Sequence, residues 1–162
     1  MIRKAVFDDL ATINEIYNQA VKQKYQTADT SPVSKKEREI WWANHNADKY
    51  PVFVYEKANQ IVGWVSLSRY RGGRKALETV AEVSYYVHQD FQGQGVGNSL
   101  LEFAISKSRN FGFKNLISLL LGPNKRSIKL LEKFNFERWG CMPKTAIIDG
   151  EKHDHLYYGL RL

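Results

Sequence analysis

The chain has 162 residues, enough for a domain with a substantial core. Hydrophobic residues make up 43% and charged residues 25%, which excludes wholesale disorder, and 24 Lys and Arg against 17 Asp and Glu leave a net charge of +7. So basic a chain calls for nucleic acid, an acidic membrane or a phosphate-bearing ligand as partner. One cysteine, Cys141, excludes an intramolecular disulfide framework and a cysteine-rich zinc site. No run approaches the roughly 18 apolar residues of a membrane helix, and residues 1–9 lack a signal-peptide core. These features predict a cytoplasmic protein with one domain, 1–162, free of repeats and linkers.

A first strand is predicted over residues 2–6. Asp8 or Asp9 then caps a helix in which Leu10, Ile13, Ile16, Tyr17 and Ala20 recur at helical spacing. A polar loop follows at 26–32. A second helix begins near Ser34, carries Ile40, Trp41 and Trp42, and ends near Asn44, His45 and Asn46. A meander comes next, with strands over 52–55, 61–67 and 81–87, a turn at 57–60 and a basic loop at 69–75. Residues 92–97 are glycine-rich and lead into an amphipathic helix with Val96, Leu100, Phe103 and Ala104 on one face, stopped by Gly112. Residues 116–121 are almost wholly apolar, as in a strand covered on both faces. A short helix spans 127–134, and the tail, 146–148 and 155–160, reads as a hairpin closed by Asp149 and Gly150. The order β-α-α-β-β-β-α-β-α-β-β predicts a mixed α/β (α+β) domain.

The glycine loop is the most informative segment. It joins a strand to a helix N-terminus, where glycines let the backbone approach a ligand and unpaired N–H groups favour an anion. A tight turn without a ligand is the plainer alternative. There is no Walker sequence, and the spacing Gly93, Gly95, Gly97 followed by Asn98 is a poor dinucleotide fingerprint.

The run Gln92-Gly93-Gln94-Gly95-Val96-Gly97 resembles the Gln/Arg-x-x-Gly-x-Gly/Ala signature of the GNAT superfamily of N-acetyltransferases. The element order is similar to that superfamily's over the whole chain. Ile2-Arg3-Lys4-Ala5, Ile16-Tyr17-Asn18-Gln19-Ala20-Val21, Glu82-Val83-Ser84-Tyr85-Tyr86-Val87 and Asn124-Lys125-Arg126-Ser127-Ile128-Lys129-Leu130 resemble its phosphinothricin acetyltransferase-like branch. The resemblance implies a central sheet of six to seven strands, splayed between the fourth and fifth, with about four helices. It implies acetyl-CoA as cosubstrate and no metal. The pyrophosphate would lie on the backbone of Gln92, Gly93, Gln94, Gly95, Val96 and Gly97, with Asn98 beside it. The pantetheine arm would pair along Tyr85, Tyr86 and Val87 like an added strand. Asn124 and Ser127 would line the thiol end.

An alkyl amine attacks a thioester only when unprotonated, and with a pKa of about 10.4 it needs a base at neutral pH. Glu82 is the candidate. It shares a strand face with Ser84 and Tyr86, and burial there would raise its pKa. A surface Glu balancing Arg74 or Lys75 is the alternative. The backbone N–H of Val87 is the expected oxyanion donor. The superfamily often has Tyr, and this branch often His, where this chain has Leu131, which cannot donate a proton. Tyr86, Tyr157 and Tyr158 remain as weak candidates for that task, each otherwise a packing residue. Arg74 is a candidate partner for a substrate carboxylate, with plain surface exposure as the alternative, and by resemblance to the branch Trp41 and Trp42 wall the acceptor pocket, with core packing as the alternative.

His153 and His155 would share a strand face but lack a third ligand, so no metal site is expected. Cys141 reads as a packing residue. The expected activity is direct acetyl transfer to the primary amine of a small molecule, an amino acid or analogue. Alternatives are acetylation of a protein N-terminus or lysine, and a CoA-binding module without catalysis. Nucleic acid is not expected, since no basic–aromatic motif occurs, and neither is a membrane. A homodimer is expected by resemblance to the branch. The charge is uneven: residues 107–138 hold eight Lys and Arg against Glu132 and Glu137, and 69–75 hold four with no acid. Steering of a small phosphorylated cosubstrate explains this better than a polyanion.

Overall fold

The computed structural model describes residues 1–45 and 48–162. Its elements follow the expected order: β1 (Ile2–Lys4), α1 (Leu10–Lys22), α2 (Lys35–Ala43), β2 (Val52–Lys57), β3 (Gln60–Arg69), β4 (Val80–Val87), α3 (Val96–Ser108), β5 (Asn115–Leu121), α4 (Lys125–Lys133), β6 (Glu137–Ile148) and β7 (Glu151–Arg161). The strands form one seven-stranded sheet in the order β1-β2-β3-β4-β5-β7-β6. Only β4 and β5 run parallel, and their register covers three positions, Val80 with Asn115, Ala81 with Leu116 and Glu82 with Ile117. The expected splay is therefore present: beyond Glu82 the two strands have no paired register.

Local chemistry accounts for most boundaries. Ser34 caps α2, with Glu37 reaching back to its N–H at 2.7 Å in a reciprocal capping box. Asp9, expected as a cap of α1, does something else. Its carboxylate takes a two-pronged hydrogen bond from Arg3, at 2.7 and 2.9 Å, and accepts the Val6 N–H at 2.8 Å. That pulls the chain into a short 3-10 turn and ends β1 at Lys4, not at residue 6. Gly112, at φ 80°, stops the helical stretch after α3 as expected. Helix α2 ends at Ala43, and the expected end at Asn46 lies outside the described residues. Helix α4 begins earlier than expected because Asn124 caps it, its side chain accepting the Ser127 N–H. The closing hairpin turns at Asp149 and Gly150, both at positive φ, but its strands are far longer than expected. β6 starts at Glu137, and its pairing with β7 shifts register twice, which breaks the alternation a strand would otherwise show.

Two cores cover the two sheet faces. On one, Leu100, Leu101 and Ala104 of α3 and Leu131 of α4 pack on Val65, Leu67, Val83 and Leu116. On the other, Ile13 and Ile16 of α1 pack on Val52, Val54 and Trp64, and the Trp64 indole donates to the Ile13 carbonyl at 3.1 Å. Gly63 lets α3 approach closely, since a Cβ there would meet the Tyr86 carbonyl at 2.9 Å and the Leu100 side chain at 3.0 Å. Among the described residues no helix is long and apolar enough to cross a membrane.

Candidate active site

The register of β4 decides what faces the splay. In an antiparallel ladder, hydrogen-bonded and non-hydrogen-bonded pairs alternate. The His88 N–H donates to the Val62 carbonyl, so Tyr86 opposite Trp64 and Ser84 opposite Ser66 are the bonded pairs. Tyr85 and Val87 therefore turn their backbone groups toward β5, where β5 has already diverged. These are the strand-edge groups that an extended ligand needs.

Two hollows meet at this point. The smaller, about 380 Å³, is a channel along the glycine loop and α4. Gln92, Gly93, Gly95, Val96, Gly97 and Asn98 line it, with Tyr85, Tyr86, Val87, Asn124 and Ser127 from the flanking elements. Gly93 and Gly95 sit at φ 77° and 83°, a backbone that other residues adopt only with strain. A Cβ at Gly97 would meet the Leu130 side chain at 3.2 Å. The first N–H groups of α3 have no acceptor within the helix and face an anion's place. Gln92 is held from both sides, its amide donating to the Val87 carbonyl at 3.3 Å and its oxygen accepting from Arg126 at 2.8 Å. Gln94 differs from the other expected loop residues, because its side chain turns away to the Asp90 carbonyl and Lys57. Arg126, Lys129 and Lys133 complete the channel wall, and Lys133 donates to Asn98 at 2.6 Å. Three of the eight basic residues of 107–138 thus line this channel.

The larger hollow is a cleft of about 830 Å³ on the other side of β4. Glu82, Ser84 and Tyr86 line it together, as the strand alternation implies. Burial pushes the Glu82 carboxyl above its usual range, and the Ser84 hydroxyl offsets this only in part. Burial also raises Tyr86, to about 12; the Thr27 hydroxyl opposes this, Glu82 adds to it, and Arg38 subtracts. Tyr86 therefore stands within the fields of both a carboxylate and a guanidinium. It lines the channel as well as the cleft, as does Gln26.

Arg38 has no counterpart among the residues singled out from the sequence. Only 3% exposed, it sits 4.4 Å from the Tyr17 ring centre, 4.7 Å from Trp41 and 5.8 Å from Trp64, three rings that line the cleft. Its Nε donates to Asn14 at 3.0 Å. Among the described residues no carboxylate forms an ion pair with it, and burial lowers its pKa. The signal in the sequence was an Arg placed three residues before Trp41 on one helix face. Trp41 walls the cleft as expected, whereas Trp42 packs against Phe7 outside it. Arg74 lies exposed on its loop and does not line the cleft; Arg69, at the end of β3, does. His45 also lines it. Its Nδ1 must donate to the Trp41 carbonyl, 2.8 Å away, which leaves Nε2 to accept from Ser68 at 2.9 Å. Burial lowers the pKa of this ring, and the Arg38 charge adds to that.

Leu131 is fully buried in the core under α4 and lines neither hollow. Of the tyrosines considered as acids, Tyr158 donates to Glu132 and Tyr157 points to the Met142 sulfur. His153 stacks on Tyr25, His155 lines the cleft, and no three His, Cys, Asp or Glu among the described residues gather as metal ligands would.

A splayed β4–β5 pair with an anion-binding glycine loop defines an acyl-CoA-dependent transferase, and the comparisons agree. The sequence profile of the Acetyltransferase (GNAT) family matches residues 13–136. The chain belongs to this family and is an acetyl-CoA-dependent N-acetyltransferase. It is 36% identical to YwnH of Bacillus subtilis, provisionally assigned as a phosphinothricin acetyltransferase, over 99% of this chain and 98% of that one. It is 31% identical to the L-amino acid N-acyltransferase MnaT of Escherichia coli, over 99% and 93%. A phosphinothricin acetyltransferase from Sinorhizobium meliloti, solved in complex with acetyl-CoA, superposes with a TM-score of 0.92 at 28% identity, covering 100% of this chain and 88% of that one.

The residues present suit acetyl-CoA. The loop carries glycines at positive φ at the N-terminus of α3, three cations flank it, and the Tyr85 hydroxyl is buried in the channel wall with no partner among the described residues.

Proposed function

We propose that the enzyme acetylates the α-amino group of a free amino acid or amino-acid analogue. The observation that carries this is the charge pattern of the cleft. It holds a half-buried carboxylate with a raised pKa, Glu82, and a buried arginine, Arg38, with no acid partner among the described residues, both acting on Tyr86. A zwitterion presents the complementary pair. Its ammonium would lose a proton to Glu82, and its carboxylate would face Arg38, the role expected of Arg74. Trp41 would pack against the side chain. Names of relatives support the class: MnaT acts on L-amino acids, and a Pseudomonas aeruginosa relative, 31% identical, is an L-methionine sulfoximine/L-methionine sulfone acetyltransferase.

In this reading Gln92, Gly93, Gln94, Gly95, Val96, Gly97 and Asn98 hold the phosphates, with Gln94 contributing through its backbone. Tyr85, Tyr86 and Val87 offer strand-edge backbone groups to the pantetheine arm, and Asn124 and Ser127 line its far end. Glu82 takes the amine proton, directly or through water. The Val87 N–H donates to the developing oxyanion. The whole chain, 1–162, works as one domain in the cytoplasm, without a metal, and neither nucleic acid nor a membrane is a partner. The exposed Trp139, Met142 and Ile147 on the edge strand β6 support a homodimer, which light scattering would test.

The decisive experiment follows free thiol from acetyl-CoA against a panel of amino acids, methionine sulfoximine, phosphinothricin and the decarboxylated amines of the same side chains. Much faster release with amino acids than with their decarboxylated amines is expected. Release only with peptides would return the reading to a protein N-terminal or lysine acetyltransferase. Binding of CoA with no release for any amine would leave a binding module.

A further inference from the structure

We propose that the Tyr85 hydroxyl donates the hydrogen bond that stabilises the departing thiolate when the acetyl group leaves coenzyme A. The inference rests on the acetyltransferase reading above. Its starting point is an orphaned group. The Tyr85 oxygen is buried and finds no hydrogen-bond partner among the described residues. The Ser127 hydroxyl acts to lower its pKa, but the two are not joined by a hydrogen bond. A buried, unpartnered hydroxyl costs on the order of 1–3 kcal/mol, and a phenylalanine would fill the same space without that cost. Such a group calls for a role besides packing.

Its position supplies one. Tyr85 sits on β4 just past the last residue paired with β5, and lines the channel with Asn124 and Ser127. Glu82 and Tyr86 project from the opposite face of the strand into the acceptor cleft. A thioester lying in the splay would thus be approached by the amine from the Glu82 side and vacated by sulfur on the Tyr85 side. Several other candidates are unsuited or already engaged. Leu131, on the helix facing the channel, is buried and apolar. Tyr157 and Tyr158 are engaged with Met142 and Glu132, and Tyr17 donates to Asp29. Burial, the largest influence, pushes Tyr85 up to about 12, so it keeps its proton across the working range. A thiol titrates near 8.5.

The step balances. The ammonium gives one proton to Glu82, which passes it to solvent; the amine nitrogen then bonds to the carbonyl carbon, and its second proton leaves by the same route as the amide forms. The carbon–sulfur bond breaks with its electron pair on sulfur. Tyr85 donates a hydrogen bond to that thiolate without losing its own proton, and the thiolate takes one from water after release.

The test is Tyr85→Phe, read three ways. With the best acceptor from the panel, kcat should fall about 10- to 100-fold while the KM for acetyl-CoA changes less than about two-fold, because a hydrogen bond to a charged group is lost only as charge develops. The melting temperature should stay level or rise, since no protein contact is removed. Bound CoA, titrated by thiolate absorbance, should ionise at lower pH on the wild type than on the variant. Wild-type kcat in the variant with an unmoved thiolate titration would overturn the inference. A wild-type protein that releases no thiol with any amine would instead overturn the reading beneath it, and the two failures are distinct.

Discussion

The two faces of β4 are built on opposite plans. Toward the channel, recognition rests on backbone: glycines at positive φ, helix N–H groups and strand-edge amides, with exposed cations around them. Toward the cleft it rests on buried side chains gathered from α1, the 26–29 loop, α2, β3 and β4. A backbone device suits a cosubstrate whose phosphates and pantetheine arm never vary. A side-chain device can be rebuilt position by position without disturbing the fold, and in the proposed reading that is where acceptor choice resides.

Four substitutions would break or sharpen this contrast. Glu82→Gln should have the largest effect, about 10²- to 10³-fold on kcat, with the acid limb of the pH profile abolished. In the wild type that limb should lie above the ordinary carboxylate range, because burial raises Glu82. The same shift has a stability consequence of opposite sign. A carboxyl with a native pKa above its unfolded value favours folding below the unfolded pKa and loses that support as pH rises through the native one. Glu82→Gln should therefore melt higher than wild type at pH 7, with the gap closing toward pH 4. Arg38→Gln should raise the acceptor KM about 10- to 100-fold, sparing acetyl-CoA binding and sparing decarboxylated amines, as lost pairing to one carboxylate predicts. Equal losses for amino acids and amines would make Arg38 a packing residue. Gly95→Ala should weaken acetyl-CoA binding about ten-fold through conformation alone, since a Cβ at φ 83° costs about 1–2 kcal/mol and meets no atom within 4 Å. Smallest is Arg126→Ala, about three-fold on the acetyl-CoA dissociation constant, shrinking at high salt as an exposed charge should.

The same contrast explains what could be read in advance. Element order and the glycine loop follow from local signals, namely alternation, periodicity and residues that tolerate positive φ, whereas the splay was expected only through the family resemblance. Glu82 was legible because a lone carboxylate in an apolar strand is unusual. Arg38 and His45 were not, because their role depends on Trp64 and Ser68, more than twenty residues away, coming to rest beside them. Arg74 carried the right chemistry on a loop that stays in solvent. The length of β6 was hidden by its two register shifts, and Asp9 looked like a cap because Arg3 lies on a different element.

Gly63 gives the fold a lever. It lies on β3, lines neither hollow, and leaves no room for a methyl group between the Tyr86 carbonyl and the side chains of Val96 and Leu100. Any larger residue would act as a wedge at the root of α3, tipping the first turn that carries the anion-binding amides and pressing on β4 where the thioester end must lodge. The spacing between phosphate grip and reaction centre is thus gauged by the absence of one side chain in the middle of the sheet.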